Sequence, residues 1–268
     1  GWDVLTTMVL TQSTRGDHKR WNSWVVGREA LSEVDRLDFV EMVEDEKVQY
    51  WVNRWETDNT SWHKDEVNPE LLKHSSHLLL KNPATVLLPL CGKTLDLEWL
   101  YNQGHNVIGI EATELAIVQF FKERNIPHKT SQLQGQGKCF TKYQSLDERL
   151  TVFLGNIFTF SPEILGKVDA VWDRGSLVAI HKEDRPRYSL FIKSILSDNF
   201  RILLDAIEYD EALFDGPPRV ITRETVDTLY GSFCNYEILE EVDRSKEAYK
   251  KNPNLKWFKS VVYIFTPK

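Results

Sequence analysis

The sequence predicts an α/β fold: a mostly parallel sheet with an antiparallel edge and helices on both faces. Three observations carry this expectation. Thr85-Val86-Leu87-Leu88 is a run of β-branched and leucine residues that stops at the turn Pro89-Leu90-Cys91-Gly92-Lys93, as a fully buried strand does. Asn106 to Glu111 reads as a second strand, ending in an acidic residue. Between them, Leu95 to Gln103 places Leu95, Leu97, Trp99 and Leu100 among polar residues, and Gly104 follows where a helix C-terminal glycine sits. The result is a β-α-β unit.

The remaining elements follow in order. Residues 1–48 form a polar, acidic arm without strand-like alternation, with Glu41, Glu44, Asp45 and Glu46 close together and one helix expected across Arg28 to Val43. The domain proper is expected at residues 49–268. It begins with Tyr50, Trp51, Trp55 and Trp62 among polar residues, which suits either a lid over a flat ligand or a helix docking its tryptophans on the core. Asn68-Pro69 starts a helix with Leu71, Leu72, Leu78 and Leu79 inward and Pro83 ending it. Thr113 to Asn125 is an amphipathic helix capped by Thr113, with Leu115, Val118 and Phe121 facing the core.

Cys139 to Gln144 and Leu150 to Leu154 are strand candidates, and Gly155-Asn156-Ile157 ends the second. Val168 to Trp172 is a buried strand running into Asp173-Arg174-Gly175. A charged pair at such a tip points to a functional crevice, with a surface salt bridge as the plain alternative. Pro186 to Leu196 reads as a helix, Arg201 to Ile207 as a strand, and Thr225 to Tyr230 as a short helix. Tyr236 to Val242 and Lys256 to Phe265 close the chain as an antiparallel pair at the sheet edge. Gly216-Pro217-Pro218-Arg219 makes a loop of fixed shape that suits a pocket wall.

Composition bounds the function. A chain of 268 residues with 41% hydrophobic content buries a full core. The net charge of −7 and absence of a Lys/Arg cluster disfavour nucleic-acid and anionic-membrane binding. No apolar run approaches the roughly 20 residues of a membrane helix, and no signal-peptide order opens the chain. Cys91, Cys139 and Cys234 are widely spaced, which suggests no disulfide framework, no zinc site and a reducing, cytoplasmic compartment. No metal is expected, and the protein is expected to act as a monomer.

A carboxylate about 20 residues past the first turn is where such folds hold the ribose of an adenosine-containing cofactor. Glu111 occupies that place, although a solvated strand end or a cap for the following helix accounts for it equally well. The turn holds one glycine, Gly92, and no G-x-G-x-x-G, which argues against a dinucleotide pyrophosphate. S-adenosylmethionine, with adenosine but no phosphate, fits what remains. At the next strand end, Asn156 and Ile157 would flank an adenine, one polar and one apolar.

From about Gln49 to its last residue the chain resembles the thiopurine S-methyltransferases, which are S-adenosylmethionine-dependent class I methyltransferases. The motifs that carry the resemblance are Pro89-Leu90-Cys91-Gly92-Lys93, Val107-Ile108-Gly109-Ile110-Glu111, Trp172-Asp173-Arg174-Gly175-Ser176-Leu177-Val178-Ala179-Ile180 and Gly216-Pro217-Pro218, in that order. It implies a Rossmann-like sheet of the seven-stranded type. It also implies that Trp51 and Trp55 close over the cofactor, that Leu90, Gly92 and Glu111 contact it through backbone and ribose, and that Asn156 and Ile157 contact adenine. Arg174 is implied near cofactor and acceptor, with Trp62, Pro218 and Arg219 on the acceptor side. The chain departs from the family's human-type members at Arg219, where they have an apolar aromatic, and at Thr228, where they have a substrate-side arginine.

The expected reaction is in-line transfer of the sulfonium methyl to a small-molecule thiol, leaving S-adenosylhomocysteine. Arg174, helped by Arg219, would favour the thiolate, and Asp173 would orient Arg174 or accept a proton through water. The rivals are the same cofactor with a halide, selenide, oxygen or nitrogen acceptor, and a protein that binds S-adenosylmethionine without chemistry.

Overall fold

The computed structural model describes residues 7–10, 24–27, 46–135 and 138–268. The chain divides into two compact units, Gly1–Tyr50 and Trp51–Lys268. In the first, strands β1 (Thr7–Leu10) and β2 (Trp24–Gly27) pair antiparallel. This corrects the expectation of an arm without strands. The helix expected over Arg28 to Val43 lies outside the described residues.

In the second unit, β3 (Thr85–Leu88), β4 (Asn106–Glu111), β5 (His128–Gly135), β6 (Lys138–Ser145), β7 (Leu150–Leu154), β8 (Val168–Arg174), β9 (Leu196–Tyr209), β10 (Cys234–Asp243) and β11 (Phe258–Pro267) form one sheet. Their order is β10-β11-β9-β8-β3-β4-β7-β6-β5. Strands β9, β8, β3, β4 and β7 are parallel neighbours. The last two strands form the antiparallel pair expected at the sheet edge, with β10 outermost and β11 paired to both β10 and β9. Burial on both sides explains why β11 carries the apolar run Val261 to Phe265. At the opposite edge the hairpin β5–β6 extends the sheet to nine strands. Strand β5 has no apolar alternation for the sequence to show, because its side chains are largely solvated on both faces.

Helix α1 spans residues 46–56. It is followed by α2 (Pro69–Leu78), α3 (Leu95–Asn102), α4 (Glu114–Glu123), α5 (Pro162–Leu165), α6 (Arg185–Ile195), α7 (Arg223–Tyr230) and α8 (Ser245–Lys251). Strand alternation sends Val86, Leu88, Ala170, Trp172 and Leu203 to one face, against Leu71 of α2, Leu97 of α3 and Phe120 of α4. Leu87, Ile110, Val171 and Leu204 go to the other, against Tyr188 and Ile192 of α6 and Val226 and Tyr230 of α7. Fully burying each such aliphatic or aromatic side chain contributes about 1.5–3 kcal/mol.

Two helix faces are rotated from expectation. In α4 the buried residues are Ala116, Ile117, Phe120 and Phe121, while Leu115 and Val118 are exposed, and Thr113 makes no side-chain cap bond. In α2, Leu72 faces solvent while Glu70 and His74 are buried beside Leu71 and Leu78. Both polar residues have distant partners that no local pattern reveals: His74 Nε2 lies 2.9 Å from Glu240 Oε2, and Glu70 pairs with Arg244.

Candidate active site

The sheet changes direction beside β3. From there the chain builds outward through β4 to β7 on one side and through β8 to β9 on the other, so the carboxyl ends of β3, β4 and β8 border one crevice. Crevices at such switch points are where open α/β sheets bind ligands. The turn after β3 bends sharply, with Leu90 at φ +45° and Gly92 at φ +53°. The Cys91 N–H donates to the Ile110 carbonyl at 3.0 Å, tying the turn to β4. Gly109 makes room for this turn, since a Cβ there would stand 2.8 Å from Cys91 Sγ.

Glu111, at the tip of β4, is buried and clamps two backbone segments. Its Oε2 accepts the Gly92 N–H at 2.8 Å and its Oε1 accepts the Thr113 N–H at 2.8 Å. Burial pushes its pKa up, and the Thr113 and Gly92 donors oppose that rise. A carboxylate offers about four lone-pair sites, so these two bonds leave acceptors for a diol. The Glu111 carbonyl also accepts the Gly155 N–H at 2.9 Å, which sets the end of β7 beside it. There Asn156 Oδ1 accepts the Phe158 N–H at 3.1 Å and caps a short 3-10 turn, while Ile157 packs into the core.

Over the turn lie the tryptophans. Trp55 is buried, and a Cβ on Gly92 would stand 2.9 Å from its Cζ2, so the indole rests directly on a glycine cradle. Trp62 meets Trp51 and Trp55 edge-on, with ring centroids 5.3 and 6.1 Å away, and the Arg54 guanidinium sits 4.8 Å above its ring. Arg174, at the tip of β8, donates from Nη1 and Nη2 to the Trp62 carbonyl, each at 3.2 Å. Trp51, Trp55, Trp62, Leu90, Gly92, Glu111 and Arg174 are thus gathered around one crevice.

Asp173 is not part of that gathering, which corrects its expected role of orienting Arg174. Alternation turns the two side chains to opposite faces of β8. Asp173 is 1% exposed, and its carboxylate accepts the Leu177 N–H at 3.0 Å and the Tyr188 hydroxyl at 2.7 Å. Burial pushes its pKa up to about 6 against those hydrogen bonds. It fixes the segment 175–180 that follows Arg174.

That segment holds the Gly-Pro-Pro loop. The Arg219 N–H donates to the Val178 carbonyl at 2.7 Å, Arg219 Nη1 donates to the Ala179 carbonyl at 2.8 Å, and Arg219 Nη2 lies 3.2 Å from His181 Nε2. The Pro218 carbonyl accepts the Tyr209 hydroxyl at 2.7 Å. Arg219 is therefore tied to residues 178–181 rather than to Arg174, and Pro218 to Tyr209. Thr228 stands on an exposed face of α7, donating to the Glu224 carbonyl at 2.8 Å.

Three polar residues that the sequence pattern did not single out support the site. Buried Asp96 accepts the Asn68 N–H at 2.8 Å and the Trp172 indole N–H at 2.8 Å, fastening the start of α2 to β8. Asp205 is paired in register with Arg174 and accepts the Ser260 hydroxyl at 2.5 Å. Arg185 opens α6. Asp96 alone left a trace, as an acid in the first turn of a helix.

The strand order and the switch-point crevice define the class: a Rossmann-like fold of the S-adenosylmethionine-dependent methyltransferase type. The N1-methyltransferase of Burkholderia thailandensis, solved with 1,6-didemethyltoxoflavin and S-adenosylhomocysteine, superposes with a TM-score of 0.56 at 14% identity, covering 99% of this chain and 97% of that one. A methyltransferase from Thiobacillus denitrificans in complex with S-adenosylhomocysteine gives 0.51 at 13% identity, over 75% of this chain and 92% of that one. At these identities the likeness establishes the fold.

The family follows from sequence. The family profile described as thiopurine S-methyltransferase matches residues 46–268. The thiopurine S-methyltransferase of Pseudomonas fluorescens is 37% identical over 203 residues, 75% of this chain and 90% of that protein. That of Bos taurus is 33% identical over 224 residues, 82% of this chain and 90% of that protein. The chain belongs to the thiopurine S-methyltransferase family.

Proposed function

We propose that this protein transfers the methyl group of S-adenosylmethionine to the sulfur of a small-molecule thiol of the thiopurine type. The observation that carries the proposal is the Glu111 clamp beneath the Trp55 indole, at the crevice where Arg174 also ends its strand. The residues present suit the cofactor. Glu111 keeps acceptor capacity for the ribose hydroxyls, the single-glycine turn has no phosphate to cradle, and the tryptophan layer offers apolar area and ring faces to a sulfonium.

When bound, S-adenosylmethionine supplies an electrophilic methyl, which a thiolate takes with release of S-adenosylhomocysteine. The chain's own part is alignment, water exclusion and charge. Trp51, Trp55 and Trp62 would cover the reacting groups, and Asn156 and Ile157 would border the adenine. Arg174 would hold the thiol as thiolate, since a guanidinium lowers the pKa of a neighbouring thiol from its usual value near 8.5. Positioning the two reactants supplies the largest share of the acceleration. Asp173 serves the reaction through the segment it anchors.

The family supports a thiol over the halide, oxygen and nitrogen acceptors and over binding without chemistry. Three free cysteines, two of them buried, suit a reducing cytoplasm, and a monomer is the proposed state. Among the described residues no helix is long and apolar enough to cross a membrane. The test is incubation with methyl-labelled cofactor and a panel of aromatic thiols, selenols, phenols, amines and iodide, with products assigned by mass spectrometry. S-methyl products are expected to dominate; label appearing only on oxygen, nitrogen or iodide would reject the thiol.

A further inference from the structure

Arg174 and Asp205 stand side by side, in register on the parallel strands β8 and β9. In-register neighbours of a parallel pair send their side chains to the same face, from strands about 4.8 Å apart. Trp172 and Leu203, one alternation earlier on the same two strands, lie in the core cluster with Leu71 of α2, so the face is the one that α2 covers. Asp173 points to the opposite face, and the part of proton acceptor beside Arg174 is left to another group. Asp205 suits it by position, because Arg174 and Asp205 both end their strands at the carboxyl side of the sheet and both are half-buried rather than sealed.

The carboxyl of Asp205 is fixed but not saturated. Its Oδ1 accepts the Ser260 hydroxyl of β11 at 2.5 Å, which uses one of about four lone-pair sites. The charged groups around it are Arg174 on β8 and Glu70 in the first turn of α2, and Glu70 is paired with Arg244. Burial pushes its pKa up, as does Glu70, while the Ser260 hydroxyl, Arg174 and the Asn68 side chain oppose the rise. We propose that Asp205 is the general base of the reaction, taking the proton of an acceptor thiol held at Arg174. The assignment rests on the thiol reading above. The S–H proton passes to the Asp205 carboxylate, the sulfur pair bonds to the methyl carbon, and the pair of the broken methyl–sulfonium bond stays with S-adenosylhomocysteine. The carboxyl proton then leaves to water.

The test compares phenylmethanethiol, an alkyl thiol, with 6-mercaptopurine, an acidic heterocyclic one, at saturating S-adenosylmethionine. A base serves the thiol of high pKa most, so Asp205→Asn is expected to lower the alkyl-to-heterocyclic rate ratio at least about tenfold. In the wild type, kcat/KM for the alkyl thiol is expected to fall as pH drops through the Asp205 pKa and to be flat above it. In Asp205→Asn it should instead climb about tenfold per pH unit with the thiolate fraction. Ser260→Ala removes a donor to the charged carboxylate and is expected to move the acid limb to higher pH. A carbon-13 titration of the Asp205 carboxyl in the chain loaded with S-adenosylhomocysteine, assigned by its absence in Asp205→Asn, should give the same pKa as that limb. An unchanged profile in Asp205→Asn, an equal loss for both thiols at every pH, or a carboxyl pKa that differs from the limb would each overturn the base while the thiol reaction stands. A wild type that methylates neither thiol would overturn the thiol reading and the base with it. Should Asp205→Asn fail to fold, an acid limb that Ser260→Ala leaves in place would overturn the proposal.

Discussion

The Gly92 N–H donates to Glu111 Oε2 at 2.8 Å, joining the turn after the first central strand to the tip of its neighbour. One carboxylate therefore shapes the cofactor turn and presents its remaining lone pairs to the crevice. Replacing Glu111 by Ala removes both, and S-adenosylhomocysteine affinity is expected to fall by about 1–3 kcal/mol, the range for hydrogen bonds to a charged group. Calorimetry checks this, and unchanged affinity would remove Glu111 from the ribose site.

Gly92 is constrained twice, by φ +53° and by the Trp55 ring 2.9 Å from any added Cβ. Gly92→Ala has to displace the indole and strain the turn by about 1 kcal/mol. Weaker cofactor-product binding and greater Trp55 exposure to an acrylamide quencher are expected, with the other tryptophans as the wild-type background. Wild-type quenching and affinity would show that the close packing is immaterial.

Arg174 holds the Trp62 carbonyl in this structure and is the cation nearest the thiol in the proposed reaction. Arg174→Ala is expected to lower turnover by at least about tenfold, which equals 1.4 kcal/mol of transition-state stabilisation. Because the loss should be greatest for thiols of high pKa, the rate ratio between an alkyl and an acidic heterocyclic thiol is the measurement. A ratio equal to that of wild type would exclude thiolate stabilisation.

Asp173 makes a pH prediction whose sign is fixed by its burial. Its folded pKa of about 6 lies above the ordinary carboxylate value of 3.8, so the native state holds its proton more tightly than the unfolded chain. Its contribution to stability is present at low pH and declines as pH rises from about 4 to about 6. Asp173→Asn keeps an acceptor for the Leu177 N–H and removes the titration. Urea unfolding at pH 4.5 and pH 7 is expected to show the variant gaining on wild type at the higher pH; parallel losses would contradict the assignment.

The crevice was legible because its parts are local: a strand, a turn and a carboxylate at a fixed interval need no tertiary information. Residues on the buried parallel strands, such as Val86, Leu87 and Val171, announce themselves by being apolar on both faces. What the sequence hid was set by distant partners. Leu72 looks like a core residue until Glu70 and His74 find Arg244 and Glu240 some 170 positions away, turning the helix. Asp173 and Arg174 look like a pair because they are neighbours in sequence, and a strand separates neighbours by pointing them apart. Arg185 reads as one more charge at a helix start, and only its burial, with Nε and Nη2 unpartnered among the described residues, distinguishes it.

The most direct measurement of the central claim is mass-spectrometric analysis of 6-mercaptopurine after incubation with S-adenosylmethionine, with S-adenosylhomocysteine binding followed by calorimetry on the same preparation. S-methylated thiopurine, formed in step with S-adenosylhomocysteine, is the expected result. Intact binding of S-adenosylhomocysteine with no methylated sulfur on this or any other thiol would contradict the account.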